Sequence, residues 1–517
     1  MPCLSFCYLY DMKAKTIIIL YMAAMLLSAC GGRDAESVEF FPAKKAAAVN
    51  IDTHLVLTFA EEPVLGTEGF IRIWDARSGE CVDSLDMSLP AGLTRSRTYG
   101  PECDYTKVPY DYSRDFVATN RNTIPGSPSG TAEPTPRDMQ LTIIGGFTDG
   151  FRFYPVIIHD NTATIYPHNN MLEYGHKYYV TIDPGVLVCG DFKGVKKGQW
   201  KFSTKAAGPA YPRHLTVATD GSGDFNTVQG ALDAVPDFCS DTTWISVAAG
   251  EYEEIVYARN KTNVVIKGAG MDATHVHYAN SEVFNPHPLL VKTNEWPGTF
   301  PSRRAAFALD NCSDIILEDI SIATDCYGQA EGLLLNGERI ALYRVRITGS
   351  GDALQANGTV YMQDSELIGD GDTILGRGSL FAYHSKFINH GGPFTWVRNV
   401  KPAHGDIFVE CHFEGMPSRL ADFGRSPMNH GTTYPDAEVV AIDCTTRNFN
   451  PLGWSSIGEK SATMLEFNTR DADSGRPVDV SQRHKFSRQL DARRDADLIA
   501  SYRDPAWVLN GWTPQVR

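Results

Sequence analysis

The sequence predicts a mainly β protein in two parts, a β-sandwich followed by a right-handed parallel β-helix. Three observations predict it. The first part is a series of short alternating runs separated by turn signals. In the second part β-branched runs recur at intervals near 20 residues. Gly and Pro number 45 and 29 among 517 residues, which suits a chain rich in turns. That length exceeds one ordinary domain, and a hydrophobic content of 43% supports packed cores.

The chain begins with a targeting pattern. Lys13 and Lys15 form a basic start, Thr16 to Ala29 is an apolar run, and Leu27-Ser28-Ala29-Cys30 leads into Gly31-Gly32. This resembles a bacterial lipoprotein signal over residues 1–30, in which Cys30 becomes the lipidated first residue. An uncleaved anchor is the alternative, but the run is short for a membrane span. Met12 is the more natural initiator. The resemblance implies a lipid anchor in the membrane, a polar tether over residues 31–38 and an address in the cell envelope as an outer-membrane lipoprotein.

Residues 39–206 carry the runs VNIDTHLVLTFAEEPV, GFIRIWDA, MQLTIIGGF, TATIYPH, HKYYVTIDPGVL and GQWKFSTKA. Their opening and close resemble a bacterial Ig-like module. Residues 95–137, rich in Tyr, Pro, Ser and Arg, read as a long insertion. No catalytic constellation falls here, so a spacer or carbohydrate-contacting role is expected.

Residues 207–212 form a Gly/Pro linker, and a second domain spans 213–517. It opens with LTVATDGSGDFNTVQGALDAVPD: a strand, a Gly-rich turn, then a helix from Asn226 or Thr227 with Val228, Ala231, Leu232 and Val235 on its apolar face. The turn lacks the GKS/T of a phosphate loop and reads as structural. Further on, Ile315, Ile340, Val360, Leu380, Ile407 and Val440 align at intervals of 25, 20, 20, 27 and 33 residues. Units this small bury an apolar face only by stacking. The longer intervals are loops extruded from particular coils, which build a cleft. In this register Cys411 and Cys444 are stacking neighbours.

The other cysteines of the exported chain are 81, 103, 189, 239, 312 and 326. Cys81 with Cys103 is a candidate local bridge; buried free thiols suit the later ones. No spacing fits zinc, so no metal is expected. The net charge of −15 argues against nucleic acid and anionic lipid as partners, while leaving a neutralised polyanion open.

Chemistry concentrates between Gln329 and Gly376. Asp352 and Asp372 each sit in a Gly-flanked segment, 20 residues apart. Adjacent coils are about 4.8 Å apart, so the two carboxylates become neighbours on one face. Mutual repulsion and burial then raise one pKa, which separates an acid from a base. Turn capping is the plainer role for Asp in such segments, and Asp364 and Asp370 are assigned it.

The stretches ATDGSGDFNTVQGALDAVP, AAGEYEEIVYARNKTNVVIKGAG, Gln329 to Gly376, FGRSP and NPLGW together resemble the pectin methylesterases, carbohydrate esterases built on a parallel β-helix. The resemblance covers residues 213–517. It implies that Asp372 is the nucleophile, Asp352 the acid/base, Gln329 an oxyanion donor and Arg425 the partner of the nucleophile. It implies a pectic polysaccharide substrate and no cofactor; a monomer is expected. A β-helix lyase or hydrolase, and a degenerate glycan-binding protein, are the rival readings. The sequence departs from the family pattern at Gly351, where the family has glutamine, and at Pro427, where it has an aromatic. Gln355 and the TILG after Asp372 differ as well. Trp396 is a candidate stacking platform and Arg398 a candidate partner for a uronate carboxylate; core packing and surface pairing are their plainer roles.

Overall fold

A computed structural model describes residues 38–91, 140–142, 144–145, 151–210, 213–282, 284–285, 302–326, 329–425, 433–455, 457 and 461–515. The signal with Cys30, most of the tether, the insertion with Cys103, and Pro427 lie outside the described residues.

Two main sheets build the core of the N-terminal module. Strands Glu39–Phe41, Leu55–Thr58, Thr162–Ile165 and Val156–His159 form one. Ala46–Val49, Val195–Thr204, Lys177–Ile182, Phe70–Asp75 and Cys81–Asp86 form the other. Period-two alternation sends Leu55, Leu57, Ile71, Ile73, Val180 and Trp200 into a shared core. This module is bound to the start of the second domain. Asn50 donates to the Asn226 side chain at 2.9 Å. The Asp52 carboxylate accepts from the Asn226 and Thr227 backbone N–H groups at 2.9 and 2.8 Å. Those contacts surround the N-terminus of helix Val228–Ala234, whose cap is Thr227 and whose Val228, Ala231 and Leu232 are buried, as its periodicity predicts.

From His214–Val217 to Arg488–Gln489 the chain forms one continuous parallel-paired sheet of 23 strands, wound as a parallel β-helix. Each complete coil passes through three faces. Phe307–Thr324 and Leu333–Thr348 show this in single long strands that pair from Phe307↔Leu333 through Ile315↔Ile340 to Ala323↔Thr348. From Asp319 onward the last corner of successive coils falls on one left-handed residue. Asp319, Arg344, Asp364, His384, Glu410, Asp443 and Asn468 form that column, all with φ between 48° and 56°. Asn and Asp tolerate this conformation best, and Asp and Asn hold four of the seven places. The column also holds itself together: Arg344 Nε bonds Asp319 at 2.6 Å, and Asn468 bonds Asp443 at 2.7 Å.

The register corrects one alignment. Ile315, Ile340, Val360 and Leu380 do stack in the interior. Leu380, however, pairs with Asp406, and Ile407 pairs with Phe381. A slip of one residue exchanges the faces. Ile407 and Val440 therefore point outward, under helices Ala496–Arg503 and Pro505–Val508, among Phe381, Ile499, Tyr502 and Val508. Because these helices cover the outer face, both sides of the strands are apolar, and alternation does not mark the inner one. Asp406 takes the interior place. Cys411 and Cys444 are free, buried and on adjacent coils, in agreement with the spacing. Burial pushes the Cys411 thiol up to about 12.

Candidate active site

Two tight turns hold the paired aspartates. Gly351 and Gly371 have φ of 78° and 59°, and a Cβ on Gly371 would lie 2.9 Å from the Gly351 carbonyl oxygen. These positions take glycine for steric reasons. The next residues, Asp352 and Asp372, lead into strands Leu354–Ala356 and Ile374–Gly376, which pair Leu354↔Ile374. The carboxylates thus occupy equivalent places on adjacent coils. Asp370 accepts hydrogen bonds from the Gly351 N–H and the Ser350 hydroxyl, the turn role assigned to it. Gly351 also shows why the family's glutamine is absent: a side chain here meets left-handed backbone.

Arg425 reaches Asp372 with a bidentate fork, Nε to Oδ1 and Nη2 to Oδ2, both 2.6 Å. Such planar pairing is strong and orients the carboxylate. The Arg425 guanidinium lies 4.0 Å from the Trp396 ring centre, and that of Arg398 lies 4.5 Å from it. Trp396 therefore carries cations on its ring. Arg398 is 5% exposed, which rules out its surface-pairing alternative.

Asp352 is set differently. Arg304 donates to its Oδ2 at 2.8 Å. The same guanidinium bonds Glu331 at 2.6 Å, Glu282 at 3.3 Å and the Gln329 Oε1 at 3.0 Å. Glu331 is fully buried. One cation thus serves several carboxylates in a dry site. Burial raises Asp352 to about 7; Arg304 opposes the rise, while Glu331 and then Asp372 add to it. Burial raises Glu331 as well, against the pull of Arg304. With Oε1 turned to Arg304, Gln329 directs its N–H₂ end away from that arginine.

Sequence reasoning missed Arg304, Glu331 and Glu282. Glu331 carried a signal: a lone acid beside the apolar run Leu333-Leu334-Leu335 needs a cation if buried. Arg304 carried none, being 48 residues before Asp352 and on another coil.

The fold and site define a parallel β-helix protein with a stacked aspartate pair, one aspartate held by an arginine fork and the other titrating near neutrality. Comparison is more particular. Residues 214–396 match the family model Pectinesterase. Arg398 and Arg425 lie beyond that match. Among curated relatives from Arabidopsis thaliana, Probable pectinesterase/pectinesterase inhibitor 42 is 31% identical over 27% of this chain and 25% of its own length. Pectinesterase 2 is 29% identical over 50% of this chain and 45% of its own length. The chain thus spans less than half of these relatives. Similar solved structures include a pectin methylesterase from carrot, 18% identical with a TM-score of 0.47 over 59% of this chain and 95% of that one. Another is PemA from Erwinia chrysanthemi, 17% identical with a TM-score of 0.45 over 60% of this chain and 100% of that one.

Proposed function

We propose that this protein is a carbohydrate esterase that hydrolyses methyl esters of galacturonate in pectin or a pectic side structure. One observation carries the reading: Asp372 in the Arg425 fork stands beside Asp352, whose pKa burial lifts to about 7. Ester hydrolysis needs that division of labour, a nucleophile and a proton donor.

In this reading a carboxylate oxygen of Asp372 attacks the ester carbonyl carbon. The carbonyl oxygen becomes an oxyanion and takes a hydrogen bond from the Gln329 amide. The carbon–methoxy bond then breaks as Asp352 gives its proton to the departing oxygen, releasing methanol. A water molecule loses a proton to Asp352 and attacks the acyl carbon, which frees Asp372 and restores the acid. Arg425 orients Asp372 throughout, and Trp396, stacked on Arg425, positions the fork. Arg398 contributes positive charge beside Asp352 and suits a uronate carboxylate. Each turnover exposes a new carboxylate, which the chain's net charge of −15 repels.

The remaining parts are read from the sequence. Cys30 would carry the lipid anchor in the cell envelope, residues 39–206 would be an Ig-like spacer, and residues 213–517 would act as a monomeric catalytic domain. The test is methanol release from highly methylated pectin and from a panel of pectic fragments. Release by the wild type that disappears in Asp372→Asn supports the reading. New reducing ends or unsaturated sugars without methanol would point to glycosidic cleavage. Binding without turnover would point to a glycan-binding protein.

A further inference from the structure

A second cluster of chemistry-bearing side chains lies on the first coils. Strand Gly250–Glu253 pairs in parallel with Thr274–Tyr278, placing Glu251 beside His275 and Glu253 beside His277. Tyr252 and Val276 turn inward to the core, so alternation directs all four polar residues outward. His277 is in turn beside Ala323 of the next coil, and that strand ends at Thr324. Asp325 follows at once and reaches back, its Oδ2 2.6 Å from His277 Nδ1. The N-terminal module covers the cluster from the other side. His159 Nε2 lies 2.9 Å from Glu253 Oε2, and the Tyr166 hydroxyl donates to the same oxygen at 3.2 Å.

We infer that Glu253, His277 and Asp325 bind a divalent transition-metal ion of the zinc class at the seam between the N-terminal module and the β-helix. One ligand atom from each already lies within 4.8 Å of the other two. Tetrahedral ligands at about 2.1 Å from zinc are about 3.4 Å apart, so closure needs only small side-chain movements. The Asp325 side chain is 43% exposed and free to make them. Imidazole nitrogen with carboxylate oxygens is a donor set that zinc takes, with an open position for a water or for His159.

Charge supports the same conclusion. Glu251, Glu253 and Asp325 converge here, and among the described residues only histidines form ion pairs with them. Among the described residues no lysine or arginine pairs with them, in contrast to Asp352 with Arg304. A divalent ion supplies the missing charge. Linear spacing hides the site, because its ligands come from three successive coils and only stacking brings them together. The ion would clamp those coils to the sandwich through His159, away from the later coils that carry Asp352 and Asp372.

The experiment is zinc binding by the full chain, followed by isothermal titration and by metal analysis after gel filtration. The wild type should retain one equivalent, and zinc should raise its unfolding temperature. His277→Gln and Asp325→Asn should each weaken binding by ~10-fold or more and lose the thermal shift, and His159→Gln should weaken it by a smaller factor. Magnesium, which prefers all-oxygen sites, should not compete. Circular dichroism verifies that each variant is folded; should His277→Gln fail that check, the more exposed Asp325→Asn decides alone. Absence of a bound equivalent at micromolar zinc, or wild-type affinity in a folded Asp325→Asn, overturns the inference.

Discussion

Two buried aspartates in the β-helix, Asp352 and Asp406, meet opposite surroundings. Asp352 shares Arg304 with Glu331, stands next to Asp372 and feels Arg398. Asp406 occupies an interior place between Leu380 and Val439, and its Oδ2 has no hydrogen-bond partner. Burial lifts both, to about 7 and about 8. For Asp406 burial is the whole cause, whereas for Asp352 it is the leading cause among opposed charges. The same desolvation therefore does different things. Surrounded by charges that oppose one another, a carboxylate titrates where a proton donor is useful. Alone in an apolar column, it costs stability whenever it ionises.

The largest effect tests whether Asp372 completes the functional half of this comparison. Asp372→Asn should lower the kcat for methanol release by about 10³-fold or more while pectin binding persists. Arg304→Gln strikes the charge balance itself. Removing one partner of a buried ion cluster should cost about 3–5 kcal/mol in urea unfolding. Arg304 lowers the Asp352 pKa, so its loss raises that pKa further. The proton donor then stays loaded to higher pH, and the alkaline limb of kcat should move from near neutrality to higher pH. A limb that moves to lower pH would show that another group sets it.

Asp406→Asn probes the other half. The native pKa of Asp406 is raised above the unfolded value of about 3.9, so the folded state keeps a proton that the unfolded state loses. That contribution is full below the unfolded pKa and is lost as pH rises through the folded pKa. The wild type should therefore lose stability relative to the variant by on the order of 4 kcal/mol between about pH 5 and about pH 8, read by urea unfolding at each pH. Gly351→Gln makes the smallest change. It restores the family's residue type on backbone with φ of 78°, and should cost about 1 kcal/mol without raising kcat. A gain in kcat would mean that the turn adapts to seat a second oxyanion donor.

Much of this was legible in the linear chain because it depends on short-range rules. Val228, Ala231 and Leu232 declared a helix face, and Gly351-Asp352 and Gly371-Asp372, 20 residues apart, declared stacked turns. Apolar units of coil length declared a β-helix, since each is too small to bury itself. Tertiary structure decided what those rules leave open. The pairing of Leu380 with Asp406 was hidden because the C-terminal helices make both strand faces apolar. Arg304 beside Asp352, and His277 between Glu253 and Asp325, were hidden for a different reason. A parallel coil sets residues side by side by register, whatever number of loop residues each turn extrudes. Charge partners across coils therefore follow from the stacking, and a distance counted along the chain does not contain them.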